Sequence, residues 1–487
     1  MKRVYLLILS ALLLWSCNKD VMLPPEEPVG KYETAEAALD AVHALYGTGA
    51  PAFYGECTID QLPVAALGGY LSGLFANEAG TENTVSDHCR RLTLESGCFD
   101  AIWNEAYQAI AIADEVINNI PLTPGLTSEK KNQYRAEACF FRAFNYFYLA
   151  RAFGKAPSAV NGDAESIPLA EVYKLIISDL ERALPNLPDA AFAENDFRIT
   201  RSAARILLAD VYLFMSGWPL QQDYYAWAAK VAKQVIDGGK HRLATHGKTS
   251  ETSAYNTIRT KSDNPESIYA YKAGALTALC LSEEAANWGG VVKIDTRNAY
   301  MPTRAFMNMY DPEKDVRAQE QQFFHSFVKY EKGTRTVIQT FAPTPYWWFD
   351  REALFETGTT RKDVVIYRYA EALLIAAEAI AMSEGVTPEA AGYLADVRVR
   401  ACPTLERETI RGELAALDRE RFVEEVWAER LREFPLEMKI WPDIQRTRKY
   451  PVVASDEAGK IAFTDVIGAT NPLNIPFEQR HLLLPAP

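Results

Sequence analysis

The sequence is poor in the residues that build metal and redox centres. Its 487 residues hold six scattered histidines and seven cysteines, with no C-x-x-C pair and no Cys/His cluster. No metal or cofactor is therefore expected. Positive charge is also in deficit: 51 Lys and Arg stand against 64 Asp and Glu, a formal net charge of -13. Phosphate backbones need clustered Lys and Arg, so nucleic acid is not an expected partner. A polybasic grip on a membrane surface is excluded for the same reason. The signatures G-x-S-x-G, H-E-x-x-H, Walker A and G-x-G-x-x-G are all missing. A glycosidase needs two converging carboxylates about 5–9 Å apart. With 64 acidic residues chance pairs abound, and no motif places one. The chain is expected not to be an enzyme.

The N-terminus carries the first positive signal. Lys2 and Arg3 precede an apolar run from Val4 to Trp15, interrupted only by Ser10. A membrane-spanning helix needs roughly 20 apolar residues, so this run is too short. It fits the apolar core of a signal peptide, usually about 7–15 residues. Leu14-Trp15-Ser16-Cys17 then resembles the bacterial lipobox, with Leu three before the Cys and a small residue directly before it. Trp15 departs from that pattern, which prefers a small residue. Residues 1–16 are expected to be a lipoprotein signal peptide, and Cys17 the acylated first residue of the mature chain. Pro24, Pro25 and Pro28 stiffen the tether over 17–32. Some 15 extended residues reach on the order of 45 Å. Of the other cysteines, Cys89 and Cys98 are the favoured pair in an exported protein. Cys139 and Cys402 sit in helix-like patterns, where a free thiol behaves as a small hydrophobe.

Helical periodicity dominates the mature chain. Ala136, Cys139, Phe140, Ala143, Phe147 and Ala150 recur at spacings of three and four over 135–152. Thr200 is a plausible N-cap for a helix over 200–214. The same spacing predicts helices over 97–120, 168–184, 223–236, 366–382, 388–401 and 413–434. Alanine is frequent on their apolar stripes. Small residues let helices approach closely, as paired helices in a tetratricopeptide-like array require. The expected fold is mainly α, as one body over 33–487, with few short strands. Residues 240–365 lose this rhythm and gain Gly, Pro, Thr and aromatics, and 47–96 form a shorter irregular region. Long irregular insertions are more often functional than idle.

Several segments resemble one known family in order. Arg135-Ala-Glu-Ala-Cys-Phe-Phe-Arg142-Ala-Phe-Asn-Tyr-Phe is similar to its Arg-Ala-x-x-x-Phe-x-Arg-Ala-x-x-Tyr-Phe helix. Met301-Pro-Thr-Arg-Ala-Phe, followed by Asp315-Val-Arg317, resembles the approach to its Asp-x-Arg turn. Arg368-Tyr-Ala-Glu371-Ala-Leu-Leu, with Glu378 one stripe further, is similar to its Arg-Tyr-Ala-Glu-x-Leu-Leu helix. Glu429-Arg430, Trp441-x-Asp443 and His481-Leu-Leu-Leu-Pro485 come after it in the same order. The family is SusD/RagB, the surface nutrient-binding lipoproteins of glycan-foraging bacteria. Glu437-Met-Lys-Ile departs from it, standing where a Gly-x-Arg element is usual.

The resemblance implies a SusD-like helical body and a surface lipoprotein that binds an oligosaccharide. It implies a SusC-like TonB-dependent outer-membrane transporter as partner, and attachment to the outer membrane through the lipid on Cys17, facing the cell exterior. A peptide-binding RagB-like role is the first alternative, and an all-helical glycan-degrading enzyme the second. Sugars offer CH faces and hydroxyls, so their sites need flat exposed rings beside amide, carboxylate or guanidinium groups. Rings in irregular segments are the candidates: Asn287 with Trp288, the run Tyr346, Trp347 and Trp348, and more weakly Tyr70 with Asn77. Arg135, Arg142, Arg368, Glu371 and Glu378 are read as buried or half-buried ion pairs that orient helices, and Asp315 and Arg317 as turn formers. Trp103, Trp218, Trp227, Trp427 and Trp441 fall on or beside helical stripes and are expected to pack.

Overall fold

The computed structural model describes residues 30–59, 62–77, 84–157, 166–261, 263–272, 274, 276–281, 288, 290–294, 300–360, 362–454 and 457–486. Its principal helices are α1 (Ala35–Ala44), α2 (Asp100–Asn119), α3 (Ser128–Phe153), α4 (Leu169–Ala183), α5 (Arg201–Ser216), α6 (Tyr225–Ile236) and α7 (Ala254–Thr260). After an irregular stretch come α8 (Tyr369–Glu384), α9 (Pro388–Ala401), α10 (Arg419–Glu433) and α11 (Ile440–Thr447). The mainly helical fold expected from the sequence is the one observed. Several long helices start where a side chain can take up an orphan N–H. Thr127 accepts from Lys130 N at 3.2 Å, Thr200 from Ala203 N at 3.4 Å and Thr387 from Ala390 N at 3.1 Å. Helix α3 stops at Gly154, whose φ of 67° suits a residue without a Cβ.

Helices pack in sequence: α2 on α3, α3 on α4, α5 on α6, α6 on α8, and α8 on α9 and α10. Alanines at the crossings (Ala203, Ala204, Ala228, Ala232, Ala376, Ala377) are fully buried. One contiguous apolar cluster runs from Tyr32 to Leu484.

Strands are few and paired only in twos among the described residues. Strand β1 (Ser267–Tyr271) pairs antiparallel with β4 (Val364–Arg368). Between them lies a hairpin of β2 (Phe324–Lys332) and β3 (Arg335–Pro345). Two expectations are corrected here. The helix expected over 366–382 begins only at Tyr369, because β-branched Val364 and Val365 are drawn into pairing with β1. The irregular region contains that hairpin, whose turn uses Gly333 at φ 63°.

The motif charges form a buried lattice. Arg368 is fully buried and donates to Glu437 at 3.0 Å, Glu433 at 2.5 Å and Glu266 at 3.2 Å. Arg317 reaches Asp315 at 2.7 Å, Glu429 at 2.7 Å and Glu433 at 2.9 Å. Arg400 joins Glu266 and Glu433. Glu371 meets Lys439 at 3.0 Å, Glu378 meets Arg446 at 2.5 Å, and Arg142 bridges Asp179 and Asp114. Arg317 and Glu429 keep each other charged: the guanidinium is held above its usual range and the carboxyl below. Asp315 also caps a short turn by accepting from Arg317 N, so both residues link loop to core. Glu437, the departure from the family pattern, is a partner of Arg368. Arg135 is the exception: it lies exposed on α3, so its expected buried pairing is not found. Cys89 and Cys98 are free thiols, as are Cys57, Cys139, Cys280 and Cys402.

Candidate functional site

Most of the rings expected to face a sugar lie in the core. Trp288 is 1% exposed and stacks on Tyr330, with ring centroids 5.6 Å apart. Trp347 packs edge-on to Phe323 and against Arg368, and Trp348 tilts against Tyr300. Tyr70 is buried against Tyr300, and buried Asn77 donates to Ser86 Oγ at 3.2 Å. Asn287 and Cys17 fall outside the described residues. Of the candidates among the described residues only Tyr346 reaches the open cleft beside the hairpin. The reason is local. Residues 346–349 turn sharply after β3, with Phe349 N donating to Tyr346 O at 3.0 Å, so consecutive rings diverge. Trp227 is corrected in the opposite sense: it is 50% exposed on α6, with Lys230 Nζ 4.9 Å from its ring centre.

Tyr346 lines a cleft of about 740 Å³ between α7, the hairpin and the 346–352 turn. By contrast, the apolar cavity beside Leu71 and Trp441 is only about 50 Å³, too small for a sugar. Three segments build the cleft. Helix α7 is capped by Ser253, which also donates to Gln322 at 2.6 Å and ties the helix to the hairpin base. This fixes Arg259. Its Nε donates to Tyr346 O at 3.1 Å, its Nη2 to Phe349 O at 3.2 Å, and its guanidinium lies 3.9 Å from the Tyr346 ring centre. Lys362, just ahead of β4, donates to Trp347 O.

The hairpin supplies the opposite wall. Its register breaks between His325 and Phe327, as at a bulge that re-aims side chains. Phe327 is left half-buried in the cleft, with Lys329 two residues on. Arg351 donates to Lys329 O at 2.7 Å, joining the turn to the hairpin. Asp350 accepts from Ala353 N and Thr360 Oγ, each at 3.0 Å. Glu251, Gln321 and Glu352 complete the lining.

The cleft therefore combines aromatic surface with donors and acceptors of both signs. Burial, and then the charge of Arg259, hold the Lys362 ammonium well below the ordinary lysine range. Arg259 is likewise lowered, chiefly by burial. Sequence reading missed Arg259, Phe327 and Lys362. Phe327 sits in a strand whose alternation is visible, but the register break that turns it outward is not.

Helix pairs with a hairpin insertion describe the architecture, and comparison with known proteins gives its class. Residues 71–213 match a family model described as starch-binding, associating with outer membrane, and 295–471 match that of the SusD family. A SusD superfamily protein from Parabacteroides distasonis superposes with a TM-score of 0.77 at 25% identity, covering 92% of this chain and 95% of that one. Surface glycan-binding protein A from Bacteroides thetaiotaomicron, solved in complex with laminarihexaose, gives 0.69 at 17% identity, covering 93% and 96%. SusD-like protein P2 of Formosa agariphila is 36% identical over 127 residues, 24% of this chain and 25% of that protein. The match thus spans about a quarter of that curated relative's length. This chain belongs to the SusD/RagB family.

Proposed function

We propose that this protein captures an oligosaccharide at the cell surface, in the cleft of Arg259, Phe327, Tyr346 and Lys362, and passes it unaltered to a TonB-dependent outer-membrane transporter. The lipid on Cys17 holds it to the outer membrane, and the 17–32 tether lets it swing while keeping its local concentration high. The observation that carries this reading is the cleft: about 740 Å³, open on one side, with half-buried rings between charged and amide groups. That volume lies within the usual range for small-ligand sites, about 300–1,000 Å³. Rings cover CH faces, and the guanidinium, ammonium, amide and carboxylate groups take hydroxyls. A family neighbour was solved with laminarihexaose, which supports a glycan as the ligand class.

Affinity electrophoresis in glycan-containing gels tests this. Retardation should fall at least about fivefold in Phe327→Ala, the loss of one stacking ring, while circular dichroism stays unchanged. Equal retardation of wild type and variant would move the site elsewhere. Release of reducing ends on incubation would replace passive binding by catalysis. Binding of basic peptides with no glycan retained would favour the peptide role.

A further inference from the structure

Two cations in the cleft are not matched by carboxylates. Arg259 is only 6% exposed, yet its two bonded nitrogens serve the backbone carbonyls of Tyr346 and Phe349. Lys362 serves the carbonyl of Trp347. Among the described residues neither forms an ion pair. Asp350 is the carboxylate that stabilises both at longer range, and its oxygens already accept from Ala353 N and Thr360 Oγ. Elsewhere the chain treats buried cations differently. Arg317, Arg368, Arg400, Arg430 and Arg446 each meet at least two carboxylates.

Keeping two cations together in a poorly solvated place is costly unless an anion arrives. Arg259 lowers the affinity of Lys362 for its proton, so an anion between them gains from both. Lys329 and Arg351 add positive charge on the rim, in a chain whose formal net charge is -13. Glu251, Asp350 and Glu352 line the same cleft, so its distinguishing feature is not net charge but two cations whose hydrogen bonds go to backbone carbonyls.

We propose that the cleft selects a saccharide bearing an anionic substituent, a uronate carboxylate or a sulfate ester, which Arg259 and Lys362 hold while Phe327 takes a sugar face. This rests on the cleft being the glycan site. Arginine grips a planar oxyanion by a fork, and lysine adds a point charge.

The test is a glycan array carrying neutral, uronate-containing and sulfated oligosaccharides, probed with the soluble body, followed by titration of each hit and its neutral counterpart. The counterparts are the methyl ester for a uronate and the desulfated sugar for a sulfate, and the two arms tell the anions apart. The charged form should bind at least about tenfold more tightly, the scale of one charge-assisted contact, and should weaken as salt rises. Lys362→Met keeps the stem and should erase most of that preference, bringing the affinity of the charged form down towards that of its neutral counterpart. Arg259→Gln, checked for native circular dichroism, gives the second reading. Equal affinity for both forms, or a preference that survives both substitutions, overturns the proposal while leaving glycan binding intact. Binding confined to neutral sugars does the same. An array with no glycan bound sinks this inference and the proposed function together.

Discussion

Beneath the cleft lies a buried histidine that should make the protein sensitive to acid. His325 is 1% exposed, at the base of the hairpin. Its Nε2 lies 2.7 Å from Cys280 O, and a carbonyl only accepts, so Nε2 carries the proton. The ring packs on Tyr346 and Phe349, with centroids 5.1 Å and 4.9 Å away. Burial lowers its pKa from 6.5 to about 4, with nearby Arg259 adding to the depression and the Cys280 bond opposing it. The unfolded chain takes a proton near 6.5, but the folded chain does so only near 4. Stability is therefore unaffected above pH 6.5 and falls as pH drops from there towards 4. At about pH 5 the loss from this one residue is about 2 kcal/mol, rising to about 3 kcal/mol below about pH 4. His325→Gln keeps a donor for Cys280 O and removes the titration. Urea unfolding followed by tryptophan fluorescence, at about pH 7.5 and about pH 5, measures the difference. Between those values the wild type should lose about 2 kcal/mol more than the variant. Equal losses would mean that the buried imidazole does not titrate as its surroundings require. His241 is also held near 4 by burial, so a second substitution there should add a similar gain in acid.

Three further outcomes are expected from the same contacts. Glu433→Gln should destabilise the fold by about 3–5 kcal/mol, because Arg317, Arg368 and Arg400 all lean on this fully buried carboxylate; the urea midpoint reports it. Trp288→Ala should cost about 3–5 kcal/mol of stability by emptying the stack with Tyr330, Phe341 and Phe355, whereas Phe327→Ala should cost under about 1 kcal/mol and act on glycan retention. Cys17→Ser should move the protein from the membrane fraction to the soluble one. An unchanged distribution would show that the anchor lies elsewhere.

The body was legible because its signals are local. Apolar residues at spacings of three and four, with Thr200 ready to cap, mark helices whatever surrounds them. The cleft was legible only in part. Tyr346 stands out through its place in an aromatic run, but Trp347 and Trp348 in the same run are buried by Phe323, Arg368 and Tyr300. A row of rings in a sequence says that some surface there is aromatic, and not which ring keeps access to water. Arg259 gave no signal, since its helix is short and its partners lie some ninety residues away, at Tyr346 and Phe349.

The sequence by itself determined most of the long helices, the Thr200 cap and the family-like charged positions, because each depends on residues a few places apart. Tertiary structure decided which arginine meets which carboxylate, which tryptophans are entombed, and that Arg259, Phe327 and Lys362 share one cleft. Those outcomes depend on the hairpin, α7 and the 346–352 turn meeting in space. Burial and pairing are properties of that meeting, and no local spacing records them.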